Sequence, residues 1–249
     1  MIRIMPLSGL PEICPGDDIA AILAPALSDA PAETGDIVVA TQKIFSKAEM
    51  RFATLCEVKA GEEARKIAAA IGKDERLVEL TLSESSAVVR AVPGLMIVRH
   101  RTGHVMANAG IDESNIGPGG DGRVLLLPED PDASVARLGE ALEARLGIRL
   151  GIVMSDSFGR PWRNGVVNVA IGAWGMPALA DWRGSPDRDG RELQATEIAY
   201  ADQIASAAGL AMGEADEGVP AVLIKGARMK GPENSAAALI RPADKDLFR

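Results

Sequence analysis

Between Val153 and Gly172 the chain gathers Ser155, Asp156, Ser157, Arg160, Arg163 and Asn164 into one short polar stretch. Asp156 and Ser157 offer hard oxygens suited to a divalent cation, and Arg160 and Arg163 offer forked donors suited to phosphate or carboxylate. The apolar run Leu150–Met154 leads into this stretch and reads as one buried strand, with a second strand-like run at Val166–Ile171. Gly159, Pro161 and Gly165 mark the segment between them as a turn-rich loop. A buried strand that opens into acids, hydroxyls and arginines is where α/β proteins place ligands. The plainer account is a loop in which Asp156 caps and the arginines are solvated. The residues alone leave both accounts open.

Two other turns carry acids: Asp112, within Asn108–Asn115, and Glu214, between a helix and a strand. Taken singly, each reads as a solvated turn, since Asp and Asn favour turns for local hydrogen-bonding reasons. Lys43 and Lys47 stand four apart after a strand end, where flexible ammonium groups can meet a nucleotide's phosphates, although surface lysines are commoner. If folding brings these segments together, the result is a carboxylate-bound metal facing a basic phosphate pocket, which is equipment for phosphoryl transfer. Gly117–Gly122 matches G-x-G-x-x-G by letter, but it runs into the strand-like Arg123–Leu127 rather than a helix, so it is read as a flexible turn. No G-x-x-x-x-G-K-[ST] sequence is present. His100 and His104 are the two histidines and fall on an expected hairpin as exposed or half-buried positions. That excludes a histidine triad or a histidine-rich metal site.

The elements that must position these groups follow from pattern. Strands are expected at Ile2–Met5, Asp36–Thr41, Val88–Val92, Met96–Arg99, His104–Ala107 and Val219–Ile224. Helices are expected from the Gly16–Asp18 cap to Leu27, with Pro25 kinking or ending it, at Gly61–Ile71 with Gly72 closing, and at Asp74–Thr81. Two more are expected at Ala133–Leu146 and at Glu192–Met212, the last rich in alanine and suited to close packing, including against a second subunit. The 249 residues, 47% hydrophobic, suffice for a substantial core. A net charge of -8 argues against a nucleic-acid surface. Cys14 and Cys56 form no C-x-x-C pair, which points to a reducing compartment without a zinc site. No leader and no run near the ~20 apolar residues of a membrane helix is seen, so the expectation is a cytoplasmic protein without membrane or nucleic-acid partners.

Longer blocks carry a resemblance. Gly9–Pro11, Val38–Glu49, Asn108–Asn115, Val124–Asp132, Ser155–Arg163, Gly190–Leu193, Met212–Glu214 and Gly218–Val222 occur in order from about residue 6 to residue 226. Together they are similar to the coenzyme F-420-0:L-glutamate ligase (gamma-glutamyl ligase) family. The resemblance implies an α+β fold of mixed sheets and packed helices in two intimately joined subdomains, forming an intertwined homodimer with the site near the interface. It implies one ligase module over residues 1–249 without a fused nitroreductase-like domain. It further implies GTP-dependent addition of L-glutamate to a deazaflavin coenzyme precursor through an acyl phosphate, with Mn or Mg and with K as a further candidate, and extension of a gamma-linked tail. By resemblance, Asp112, Asp156, Ser157 and Glu214 hold metal, and Leu10, Pro11, Glu12, Ile13, Gln42, Lys43, Lys47 and Asn115 contact the nucleotide. Arg160 and Arg163 are inferred from their chemistry as anchors for phosphate or the substrate carboxylate. Met50 departs from a usual glycine, so a small backbone difference is expected there, and Arg188-Asp189 departs from a usual Leu-Tyr pair. The rival readings are a nucleotide-dependent ligase for another carboxylate and a non-catalytic binding homologue.

Overall fold

The structure, a computed structural model, describes residues 1–117 and 122–246. The chain begins with β1 (Arg3–Pro6), α1 (Ile19–Asp29), β2 (Ile37–Thr41), α2 (Gln42–Ala48), β3 (Phe52–Thr54), α3 (Glu62–Ile71) and α4 (Glu75–Ser83). It continues through β4 (Ser85–Val92), β5 (Leu95–His100), β6 (Val105–Ala107), β7 (Arg123–Leu125) and α5 (Pro131–Leu146). The last elements are β8 (Gly151–Arg160), β9 (Arg163–Trp174), β10 (Leu179–Asp181), β11 (Glu197–Ala199), α6 (Tyr200–Met212) and β12 (Ala221–Lys225). Of the Gly117–Gly122 turn, residues 118–121 lie outside the described residues.

The α+β expectation holds. A five-stranded sheet runs in the order β1-β12-β2-β8-β9, with β2 and β8 parallel and the other pairs antiparallel. β2 and β12 are apolar up to their last residues, Thr41 and Lys225, because both sheet faces are covered. Val38, Ala40, Ile152, Met154 and Leu223 pack against α1 and α5, and the alternate set, Ile37, Val39, Val153, Val222 and Ile224, packs against Ala201, Ala205 and Ala208 of α6. The caps are local chemistry: the Asp18 carboxylate accepts from the Ala21 amide, and Asp130 accepts from that of Ala133. Gly72 and Gly147 close α3 and α5 in left-handed geometry. Pro25 lies inside α1, which continues to Asp29.

A smaller assembly of α3, α4 and the β4-β5-β6 sheet has its own core of Ala64, Ala68, Val78, Met96 and Val98. Arg51 ties it to the main core through 2.9 Å to Glu84 and 2.8 Å to the carbonyl of Leu127.

Three expectations are corrected. β8 does not end at Met154; it runs to Arg160, because Ser155–Gly159 pair in register with Val166–Ala170 of β9, and the turn is only Pro161-Trp162. The alanine-rich helix begins at Tyr200, not Glu192, because Glu197–Ala199 pair with β10 and the Trp182 amide donates to the Thr196 carbonyl. His100 and His104 are buried rather than exposed or half-buried, bridged by the Thr102 hydroxyl at 2.8 and 2.9 Å. The Thr102 amide donates to His100 Nδ1, so the His100 proton resides on Nε2, 3.5 Å from Glu84.

Burial first, and then neighbouring His100, pushes the His104 pKa down from 6.5 to about 4. The unfolded chain therefore takes this proton near 6.5 while the folded chain refuses it until about 4, so stability falls as pH drops through that window. Wild type is expected to lose about 3 kcal/mol more than His104→Gln over this range in urea titrations. Parallel pH profiles would contradict it.

At the end of α2, the Met50 amide donates to Lys47 and that of Arg51 to Ser46, a closure that needs a left-handed residue at position 50. Met50 supplies it at φ 57, exposed. The side chain thus changes there and the left-handed turn remains. Met50→Gly is expected to raise stability by about 1 kcal/mol through relief of that strain. An unchanged or lowered urea midpoint would exclude it.

Candidate active site

The sheet topology brings distant segments to one edge. β2 ends at Thr41 opposite Ser155 of its parallel neighbour β8, and β12 begins at Ala221 opposite Ala40. Gln42–Lys47 of α2, Ser155–Ser157 of β8 and the Gly213–Pro220 loop therefore line one cleft of about 800 Å³. Leu10, Pro11 and Glu12 form its rim, since the Leu7 amide stays bonded to the Ala221 carbonyl just before them.

Asp112 arrives from the smaller assembly. It follows a left-handed turn of Asn108, Ala109 and Gly110, at φ 47, 55 and 67. A side chain at Gly110 would meet Met106 Cε at 2.8 Å, so this position needs glycine for space as well as conformation. The Asn108 carboxamide holds the turn by accepting from Lys73 at 3.0 Å and from the Met96 amide at 3.3 Å. Asp112 is then fixed by a two-way backbone bridge to Leu125, 2.9 Å each way.

Asp112 accepts from Gln42 at 2.5 Å and pairs with Lys43 at 2.8 Å. Gln42 is itself buried and accepts from the Ser46 hydroxyl at 2.7 Å. Lys47, one helical turn after Lys43, is buried and pairs with Glu12. The Ser157 hydroxyl donates to Glu214 at 2.6 Å, and the Asn115 carboxamide to the Ala215 carbonyl at 3.2 Å.

Burial first, then the charge of Asp112 and, less, that of Glu214, push the half-buried Asp156 carboxyl up from 3.8 to about 7. The lining carries six carboxylates (Glu12, Glu113, Asp156, Glu214, Asp216, Glu217) against two lysines. Such an excess of carboxylates over lysines favours the binding of further positive charge. The oxygen donors of Asp112, Asp156, Ser157 and Glu214 fit Mg or Mn by type. Among the described residues no group of three His, Cys, Asp or Glu side chains forms a ready metal cage, and Asp112 is held by Gln42 and Lys43. Mg is commonly held by one or two carboxylates completed by substrate phosphates, so the donor set still fits.

Residues 9–226 match the family described as F420-0:Gamma-glutamyl ligase. Relatives that carry the name Coenzyme F420:L-glutamate ligase include the following three. The protein from Methanopyrus kandleri is 44% identical, covering 100% of this chain and 98% of its own. That from Methanothermobacter thermautotrophicus is 41% identical over 100% and 99%, and that from Archaeoglobus fulgidus 40% identical over 100% and 96%. The chain belongs to the F420-0:gamma-glutamyl ligase family.

Within this gamma-glutamyl ligase chain, Leu10, Pro11, Glu12, Gln42, Lys43, Lys47, Asn115, Asp156, Ser157 and Glu214 all border the cleft. Asp112 stands behind Gln42 and Lys43, close enough to act on Asp156. Ile13 is in the main core instead. Arg160 and Arg163 lie at the β8–β9 hairpin tip, outside the cleft lining. Arg188 and Asp189 are exposed on a turn organised by the Asp187 carboxylate, also outside the cleft. Sequence reading missed Thr41, Asn168, Glu113 and Glu217 as lining residues. Asn168 reaches the cleft only because β9 pairs with β8 in a register that sets it opposite Ser157, and nothing local signals that pairing. No helix among the described residues is long and apolar enough to cross a membrane.

Proposed function

We propose that this protein ligates L-glutamate to the deazaflavin coenzyme precursor F420-0 at the expense of GTP. The observation that carries the reading is the meeting of Asp112, Asp156 and Glu214 beside Lys43 and Lys47, in a chain matched along its full length by relatives bearing the ligase name.

A carboxylate is a poor electrophile and needs a leaving group. A precursor carboxylate oxygen attacks the γ-phosphorus of GTP, the bond from that phosphorus to the bridging oxygen breaks, and GDP departs with its electron pair. The amine of L-glutamate then attacks the carbonyl carbon of the acyl phosphate, inorganic phosphate leaves, and the nitrogen loses its proton to give the amide. Lys43 and Lys47 hold phosphate oxygens and exchange Asp112 and Glu12 for them as the nucleotide enters. Leu10 and Pro11 supply the apolar rim and Asn115 a carboxamide donor. Arg160 and Arg163 remain candidate anchors for the substrate carboxylate. A divalent cation held by Asp112, Asp156, Ser157 and Glu214 would neutralise charge developing between the phosphates. Closing the cleft keeps water from the acyl phosphate. Homodimer formation, a role for K, a cytoplasmic location and extension to an oligoglutamate tail belong to the same reading.

The acyl-phosphate step is tested with precursor labelled by ¹⁸O in its terminal carboxylate. One labelled oxygen is expected in the released phosphate. Unlabelled phosphate accompanying glutamyl product would exclude this activation route.

A further inference from the structure

The two walls of the cleft differ in charge. Both lysines among the described lining residues, Lys43 and Lys47, belong to α2. The opposite wall, built from β8, β9 and the end of α6, presents Ser155, Ser157, Asn168 and Glu214 and no cation. A phosphate or carboxylate there would meet like charge, whereas an amino group would meet oxygen acceptors.

One side chain in that wall, Ser155, is buried without a partner, and a second, Asn168, lies largely buried near it. Ser155 is 0% exposed and its hydroxyl has no hydrogen bond among the described residues. Asn168 is 7% exposed; its backbone carbonyl accepts from Ser206 at 2.8 Å, and its carboxamide has no bond to a described residue. Buried polar groups in native proteins are usually satisfied, so the unpaired Ser155 hydroxyl, on a cleft that Asn168 also lines, marks a place for ligand. Ser155 faces Ala170 and Ser157 faces Asn168 across the hairpin, which makes Ser155 and Asn168 diagonal neighbours on the α6 face.

The helix is shaped around this side chain. A Cβ at Gly209 would fall 1.9 Å from Asn168 Oδ1. Gly209 is not a positive-φ residue, so its backbone does not require glycine, and glycine weakens a helix interior relative to alanine. The space is what the glycine provides.

We propose that Asn168 and Ser155 form the subsite for the amino group of the incoming amino acid, with the Asn168 carboxamide oxygen and the Ser155 hydroxyl oxygen as acceptors. This rests on the ligase reading above. It places the nucleophile on the wall facing the phosphate-holding lysines, with Ser157 paired directly opposite Asn168.

Steady-state kinetics with L-glutamate varied, at saturating GTP and F420-0, would be run beside direct GTP titrations. Ser155→Ala removes only an unpaired hydroxyl and is expected to fold as well as wild type. Asn168→Leu and Ser155→Ala should raise the KM for glutamate about ten-fold or more, with GTP affinity within two-fold of wild type. Asn168→Asp keeps the oxygen acceptors and should keep the glutamate KM near the wild-type value. Gly209→Ala should behave like Asn168→Leu. An unchanged glutamate KM in Ser155→Ala and Gly209→Ala, or an Asn168→Asp defect equal to that of Asn168→Leu, would overturn the subsite while leaving ligase turnover intact. A wild-type protein that makes no glutamyl product would overturn the ligase reading itself and the subsite with it.

Discussion

Asp156→Asn is expected to lower kcat/KM by at least ~10²–10³-fold, the scale of losing one charge contact made at the transition state. The same change should raise the melting temperature of the metal-free protein. Both follow from one environment. Asp156 sits on β8 within reach of the charges of Asp112 and Glu214, where burial and like charge already push its carboxyl up to about 7. Without bound cation and nucleotide, the charged form is a burden, and an amide of the same shape removes it. With them bound, that charge becomes the contact for the cation and, through it, for the phosphates. Sites that gather like charges for function commonly sacrifice stability in this way. Activity near the wild-type value would remove Asp156 from the reaction. Lost activity with a lower melting temperature would make it a structural residue.

Lys47→Met is expected to weaken GTP binding by about 10–100-fold and to change stability by less than about 1 kcal/mol. Its ammonium is buried, with 9% side-chain exposure, whereas its partner Glu12 is 61% exposed. Unpairing a wet carboxylate costs little, and the long apolar methionine fills the space of the lysine stem. The loss should therefore appear in GTP binding, where an anion would have taken the place of Glu12. Lys43→Met serves as the contrast: its 2.8 Å partner Asp112 is only 24% exposed and sits beside Asp156, so removing that ammonium should also destabilise the acid cluster. GTP titration and urea unfolding on both variants check the pair. Equal GTP affinity in Lys47→Met and wild type would place the phosphates elsewhere.

Much of the fold was legible because local pattern decides local structure. The caps of α1 and α5, the glycine closures of α3 and α5 and the apolar β2 and β12 all follow from short-range rules. What was not legible depends on pairing between distant segments. Ser155 to Arg160 reads as a polar loop, and only the partner strand β9 turns it into the outer half of a long hairpin. Glu197–Ala199 reads as helix until β10 claims its backbone. His100 and His104 look solvated on a hairpin, yet Thr102 and the packing of Phe158 against His104 bury them. In the site, the placement of Lys43 and Lys47 at a strand end and of Asp156 after a buried run follows from pattern, although pattern alone equally allows solvated side chains. Their meeting with Asp112 and Glu214 is a property of sheet order, which spacing does not encode. The arginine pair shows the converse: chemistry suited to an anion, carried by a hairpin tip outside the cleft.

The central claim is tested most directly by incubating the purified protein with F420-0, L-glutamate, GTP and Mn and following product mass. The expected result is a product heavier by one or more glutamyl residues, formed only when GTP and metal are both present, with GDP and phosphate released in equal amounts. No mass shift, with GTP and metal still bound by the protein, would contradict the ligase assignment and leave a nucleotide site serving a different carboxylate.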